Sequence, residues 1–149
     1  MIAVACDHAA VEMKREILSL LAEMGYEYHD FGTYDTASCD YPVLAARAAT
    51  AVANGECELG ILMCGTGIGM SLAANKVKGI RCACCSEPYS ARMTRMHNNA
   101  NMLAFGARVV GVDLAKMIVR AFLEASYEGG RHQRRVDMLT VLENGGTLE

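Results

Sequence analysis

Short apolar runs alternate along the chain with segments in which apolar residues recur every three or four positions. The runs predict buried strands, and the helical spacing predicts amphipathic helices. The predicted strands cover residues 2–6, 26–31, 59–63, 80–84 and 102–105. The predicted helices cover residues 10–24, 41–53, 68 to about 76, 88 to 96 or 97, 113–127 and 132–142.

Strands that alternate with helices predict a parallel sheet, because each connection must pass back over a face of the sheet. The sequence therefore predicts an α/β fold, a three-layer Rossmann-like sandwich with a five-stranded parallel sheet. Ser86 is the predicted N-cap of the fourth helix, with Pro88 in its first turn, and Asp113 is the predicted cap of the fifth. No linker or repeat interrupts the pattern, so residues 1–149 are predicted to form one domain.

Composition narrows the class of protein. The net charge of −3 argues against a broad nucleic-acid-binding surface. No apolar run approaches the roughly 20 residues of a membrane span, and the first residues lack the pattern of a signal peptide. We therefore expect a cytoplasmic protein without a nucleic-acid or membrane partner. The seven cysteines are odd in number and scattered, which favours reduced thiols over disulfides.

Ligands of open parallel sheets bind beyond the carboxyl ends of the strands. Chemistry-bearing residues follow several of the predicted strands and the fourth helix, and we expect all of them at this edge. They are Asp7, His8, Cys64, His97, Asn98, Asn99 and Arg108. Their placement predicts a binding site at the edge.

The glycine loop that follows the third strand, Cys64-Gly65-Thr66-Gly67-Ile68-Gly69, is the strongest local signal. Alternate glycines allow a tight turn that directs several N–H groups at one point, where they can stabilise a phosphate or an oxyanion. The spacing matches neither the P-loop nor the dinucleotide fingerprint, which disfavours a nucleotide site. A purely structural turn remains an alternative.

Cys64 stands at the start of this loop. A thiol near a helix N-terminus ionises more easily than a free one, and a base poised near working pH is suited to removing a proton from carbon. Cys82 and Cys85 have a spacing that could indicate zinc or thiol–disulfide chemistry. They lack a second ligand pair and would point to opposite faces of a strand, so we predict no metal site there.

Two arginines begin the last predicted helix. Arg131 and Arg135 are four residues apart and would share a helix face, where two guanidinium groups suit a phosphate. Basic side chains are disfavoured at a helix N-terminus, which suggests that an anion compensates them. A solvated basic helix start is the alternative.

Several stretches together resemble the type B ribose-5-phosphate isomerases, a family that includes the galactose- and allose-6-phosphate isomerases. The resemblance covers essentially the whole chain. The matching stretches are residues 6–8, 40–42, 60–69, 73–76, 85–91, 97–98, 106–111 and 127–132.

The resemblance implies an aldose–ketose isomerase that interconverts ribose 5-phosphate and ribulose 5-phosphate through ring opening and a cis-enediolate. Cys64 would be the base, Thr66 with the amides from Gly65 to Gly69 the oxyanion site, and His97 the ring-opening group. The sugar would be held by Asp7, Tyr41, Gly65, Gly67, Ile68, Gly69 and Asn98, and the phosphate by His8, Arg108, Arg131 and Arg135.

The resemblance also implies a homodimer with shared sites, or a tetramer, in which a neighbour supplies His97, Asn98 and Arg108. It implies no metal and no organic cofactor. Some relatives use a carboxylate as the base, but here the cysteine is present and Met70 follows the loop. Three alternatives stay open: a six-carbon sugar phosphate as substrate, a nucleotide-binding module, and a thiol-redox protein.

Overall fold

The strands form one parallel sheet, as predicted. A computed structural model describes residues 1–149. The strands are β1 (Ile2–Cys6), β2 (Tyr28–Asp30), β3 (Leu59–Cys64), β4 (Cys82–Cys84) and β5 (Met102–Gly106), in the spatial order β2-β1-β3-β5-β4. All neighbours are parallel, so the carboxyl ends of β1, β3 and β5 meet at one edge.

Helices cover both faces of the sheet. They are α1 (Val11–Glu23), α2 (Tyr41–Ala53), α3 (Ile68–Ala74), α4 (Pro88–Asn98), α5 (Val112–Glu124) and α6 (Arg131–Glu143). Buried residues of α2 and α3 form one core with the sheet, and those of α1, α4 and α5 form the other. This confirms the three-layer Rossmann-like architecture. No helix combines the length and apolar character needed to cross a membrane.

The burial of the strands follows from their amino-acid sequence. Every residue of β1 and of β5 is buried, as the apolar runs predict. The edge strands β2 and β4 have only three residues each and are shorter than predicted, because each borders a single neighbour and is partly exposed. The bounds of β1 and α2 agree with the prediction.

Two predicted helix caps are wrong. The N-cap of α4 is Glu87 rather than Ser86, and its carboxylate accepts the backbone N–H of Ser90 at 3.0 Å. Asp113 lies inside the first turn of α5, whose N-cap is Gly111. The same helix ends at Glu124 instead of Tyr127, because the backbone of Ala125 is already extended.

Candidate active site

The Cys64 thiol lies at the carboxyl end of β3 and against the glycine loop. Its Sγ accepts the backbone N–H of Gly67 at 3.0 Å, and only 5% of the residue is exposed. The N–H of Ile68 is 3.3 Å from Thr66 Oγ1. The amides of Gly65, Thr66 and Gly69 have no hydrogen-bond acceptor within the chain. The loop therefore presents free N–H donors beside a sulfur atom.

Close packing of the loop on β5 requires glycine at two places. Gly67 has a φ of +80°, in the left-handed region that favours glycine. Gly106, at the end of β5, leaves space for the loop, since a Cβ there would lie 2.6 Å from the Cα of Thr66. Backbone bonds join the same segments, with Ala107 N–H donating to Cys64 O at 2.8 Å. The position of the thiol is thus fixed by main-chain contacts.

Polar side chains from other elements surround the loop. Asp7 follows β1, is 9% exposed and accepts the Ala9 N–H with one carboxylate oxygen at 2.9 Å. His8 Nδ1 accepts the Cys39 N–H at 3.4 Å, which leaves Nε2 to carry the proton and donate. The ring of Tyr41 packs over Gly69, where a Cβ would be 3.0 Å from its carbons.

Arg108 belongs to this group in the same chain. Its backbone N–H donates to Gly65 O at 3.1 Å. A Cβ on Gly65 would lie 3.6 Å from Arg108 Nη1, so the guanidinium reaches the loop. The geometry therefore does not require a neighbouring subunit to supply Arg108.

His97 and Asn98 lie elsewhere, and their predicted placement at the Cys64 edge of the same chain is wrong. Helix α4 begins beside the carboxyl end of β4 and runs back to the amino ends of the strands. There Arg81 Nε, just before β4, donates to Asn98 O at 3.0 Å. Asn99 accepts from the same guanidinium at 2.9 Å. The whole length of β3 separates this end of the sheet from Cys64.

Arg131 and Arg135 lie with His97 rather than with His8. The rings of His97 and His132, the latter in the first turn of α6, stack with centroids 4.3 Å apart. The Glu128 N–H donates to Met96 O at 3.0 Å and ties the chain before α6 to the end of α4. Neither arginine forms an ion pair with a carboxylate. The predicted site residues of one chain therefore form two groups at opposite ends of its sheet.

All the cysteines are free thiols, and two of them, Cys6 and Cys85, are unsuited to acid–base work. Burial raises the pKa of Cys6 from its ordinary 9.0 to about 12, and that of Cys85 to about 11. Cys82 packs on the core at one face of the sheet and Cys85 on the core at the other, as predicted. These two thiols cannot form a disulfide in this arrangement, which argues against thiol-redox chemistry.

Lys14 is a residue near the site that the sequence prediction missed. It is 2% exposed, and its Nζ lies 2.7 Å from Asp30 Oδ1 and 2.6 Å from Thr33 O. These two contacts tie α1 to the end of β2 and to the segment that follows it. In the same segment, Gly32 O accepts the Cys6 N–H. A lysine within an otherwise apolar helix face is the signal that could have indicated it. Glu128 and His132, the neighbours of His97, were also missed.

The fold and the thiol–amide arrangement define an α/β enzyme whose site is suited to a developing negative charge. The model of the family described as Ribose/Galactose Isomerase matches residues 2–139. Ribose-5-phosphate isomerase B of Escherichia coli is 56% identical over 142 residues, with 95% of each chain covered. The chain therefore belongs to the Ribose/Galactose Isomerase family.

Solved structures give the same relationship. The ribose-5-phosphate isomerase B of Clostridium thermocellum superposes with a TM-score of 0.95 at 51% identity, covering 97% of both chains. A ribose 5-phosphate isomerase of Thermotoga maritima has a TM-score of 0.91 at 46% identity, covering 93% of this chain and 96% of the other. The predicted family is confirmed.

Proposed function

We propose that this chain is a sugar-phosphate isomerase that interconverts ribose 5-phosphate and ribulose 5-phosphate. The observation that carries the proposal is the contact of Cys64 Sγ with the Gly67 N–H at 3.0 Å, beside amides without a partner. This arrangement places a base next to donors for an oxyanion. The names of the relatives with high identity support ribose 5-phosphate as the substrate.

The reaction has two stages, ring opening and proton transfer, and a different residue carries out each. His97 opens the furanose ring by moving a proton between the ring oxygen and the C1 hydroxyl. Cys64 then takes the proton from C2, and the electron pair of that bond moves towards the C1 carbonyl, forming a cis-enediolate. Cys64 then returns the proton to C1 while the proton of the C2 hydroxyl passes to the C1 oxygen, which leaves the carbonyl at C2 and gives the ketose. No atoms are gained or lost.

The loop stabilises the intermediate. Negative charge develops on the oxygens of C1 and C2, where the free amides of Gly65, Thr66 and Gly69 and the Thr66 hydroxyl donate. The Gly67 and Ile68 amides of the predicted oxyanion site already donate to Cys64 Sγ and Thr66 Oγ1. One such donor contributes about 3–4 kcal/mol to transition-state stabilisation. Asp7, Tyr41 and Asn98 hold the sugar hydroxyls. His8, Arg108, Arg131 and Arg135 hold the phosphate, whose binding energy positions C1 and C2 against the thiol.

A complete site in this scheme needs two chains. His97, Asn98, Arg131 and Arg135 of one subunit would face Cys64 of another in a homodimer with shared sites, which two such dimers could extend to a tetramer. An exposed apolar surface supports this, since Ile68, Leu72 and Val109 are 54%, 60% and 59% exposed. Ile68 and Val109 line one shallow depression with Cys84, beside the loop.

In this scheme, residues 1–149 form one cytoplasmic domain that requires no cofactor. The test is a comparison of kcat/KM for ribose 5-phosphate, allose 6-phosphate and galactose 6-phosphate. We expect the five-carbon substrate to give the highest value. A higher value for either six-carbon sugar would reassign the substrate, and a melting shift with ATP but with no sugar phosphate would indicate a nucleotide-binding module instead.

A further inference from the structure

Three metal-ligating side chains converge at the amino end of the sheet. Glu128 Oε2 lies 3.2 Å from His132 Nε2 and 3.8 Å from His97 Nε2. One ligand atom from each of the three residues lies within 4.8 Å of the others. No other group of three such residues occurs in the chain. His97 has a proposed catalytic role, whereas Glu128 and His132 have none.

The main chain holds these three side chains in place. The Glu128 N–H donates to the carbonyl of Met96, the residue before His97, at 3.0 Å. His132 follows Glu128 by four residues, and its N–H donates to Gly129 O at 3.0 Å. The two imidazole rings stack at 4.3 Å with 14° between their planes, and both Nε2 atoms face the same carboxylate oxygen. Because the rings are nearly parallel, their in-plane lone pairs do not meet at one point, and a bound ion requires one imidazole to turn about its side-chain bonds.

Their chemistry and spacing suit a zinc ion. Imidazole nitrogen and carboxylate oxygen are common zinc ligands, with bonds of about 2.0–2.2 Å in tetrahedral geometry, which places ligand atoms about 3.3 Å apart. The separations of 3.2 and 3.8 Å lie close to that value. Glu128 pairs with the two histidines and with no lysine or arginine. Its side chain is 45% exposed, which leaves a fourth position open to water.

We propose that His97, Glu128 and His132 form a binding site for a divalent zinc ion, and that zinc bound there inhibits the enzyme. Coordination would occupy the lone pair of His97 Nε2, which then could not accept a proton. The metal site stands on the cluster alone, whereas the inhibition rests on the proposed ring-opening function of His97. The ion is an inhibitor in this scheme and takes no part in the reaction.

Titration of the substrate-free protein with Co²⁺, a coloured substitute for zinc, tests the binding. We expect visible bands of four-coordinate cobalt that Zn²⁺ abolishes, without the near-ultraviolet charge-transfer band that a cysteine ligand produces. H132Q and E128Q should each weaken binding at least about tenfold, since even the loss of an outer partner of a metal site costs about 10–100-fold.

His29 provides the matched control. Its Nδ1 lies 3.4 Å from Glu56 Oε1, another exposed histidine–glutamate pair, but no second imidazole joins it. H29Q should bind cobalt like the wild type. Absence of cobalt binding, a thiolate band as the main signal, or unchanged affinity in H132Q and E128Q would each overturn the proposal.

Isomerisation assays then separate the two proposals. Each variant is compared with its own rate in EDTA, so any loss of basal activity does not enter the result. Zinc should inhibit the wild type and H29Q and should inhibit H132Q at least about tenfold less. Cobalt binding without any isomerase activity would contradict the proposed function but support the metal site. Isomerase activity without cobalt binding would support the proposed function but contradict the metal site.

Discussion

Gly67 lies directly against the backbone of Phe105 in the neighbouring strand β5. A Cβ at position 67 would be 2.6 Å from the carbonyl carbon of Phe105 and 2.9 Å from its nitrogen. Both partners are main chain in a fully buried strand and cannot move aside. The residue that donates to Cys64 is therefore held between the thiol and the backbone of β5.

Gly67→Ala should destabilise the protein and disable the loop. A left-handed alanine costs about 1–2 kcal/mol, and the collision adds about 1–3 kcal/mol. Gly55→Ala is the matched control, because Gly55 has a φ of +78° with nothing within 4 Å of a Cβ. Urea denaturation and kcat/KM measure both variants, and equal stability losses would contradict the role of Phe105.

Cys64→Ala should lose nearly all isomerisation while still binding ribose 5-phosphate, because proton transfer needs the thiolate and phosphate binding does not. We expect a fall in kcat/KM of at least about 10²-fold, the lower end of general-base contributions. Cys57→Ala, which removes a buried thiol far from the loop, should keep full activity. Turnover by the Cys64 variant at near wild-type rate would refute its role as the base.

His97→Asn should slow turnover of cyclic ribose 5-phosphate far more than that of the open-chain form, since its proposed task precedes proton transfer. Refolding this variant together with Cys64→Ala provides a second measurement. Random pairing of two inactive chains would restore about a quarter of the wild-type sites, because each mixed dimer has one intact pair. Failure of the mixture to gain activity would count against shared sites.

Lys14→Ala should destabilise the fold strongly. Removal of one partner from a buried pair costs about 3–5 kcal/mol, and the 20% exposure of the Asp30 side chain places the expected loss near the lower end. Arg15→Ala breaks an exposed pair with Glu12 and should cost less than about 0.5 kcal/mol. Similar urea midpoints for the two variants would show that the buried pair contributes little.

Stability should fall in alkali. The pKa of Cys6 is raised to about 12 in the folded chain, so the neutral thiol is favoured there, while the unfolded thiol ionises near 9.0. The contribution is complete below pH 9 and is lost as the pH rises towards 12. Urea midpoints measured from pH 8 upward should decline, and Cys6→Ala should decline less steeply. Parallel curves would exclude this thiol as a cause.

Much of the fold was predictable because its elements rest on local patterns. The buried run of β1 and the alanine-rich helix α2 have the predicted bounds. The caps of α4 and α5 were missed because backbone geometry decides where each helix begins. Ser86 and Glu87 both precede α4, and α5 begins one residue before Asp113, with Gly111 as its cap. The lengths of the short edge strands depend on pairing with strands that are distant in the sequence, which a local pattern cannot predict.

The positions of the candidate site residues within the fold were predicted only in part. Asp7, Cys64 and Arg108 follow strands, and the sheet brings such residues together whatever the details of packing. His97 was misplaced although the signal was present, since a helix after a parallel strand must end at the opposite edge. The proximity of Arg131 to His97 depends on how α6 docks, and a local pattern cannot predict this because Val136 is the only buried residue of that helix.

Helix α6 buries only Val136, and it is also held by exposed polar contacts such as the hydrogen bond from the Gly79 N–H to Glu143 Oε1 at 3.1 Å. Such a segment opens at a small fraction of the free energy that unfolds the sheet. Its amide hydrogens should therefore exchange with solvent long before those of β3 in the isolated chain. On heating, the arginines proposed to hold the phosphate would lose their positions while the sheet is still intact, so the temperature of inactivation should fall below that of melting.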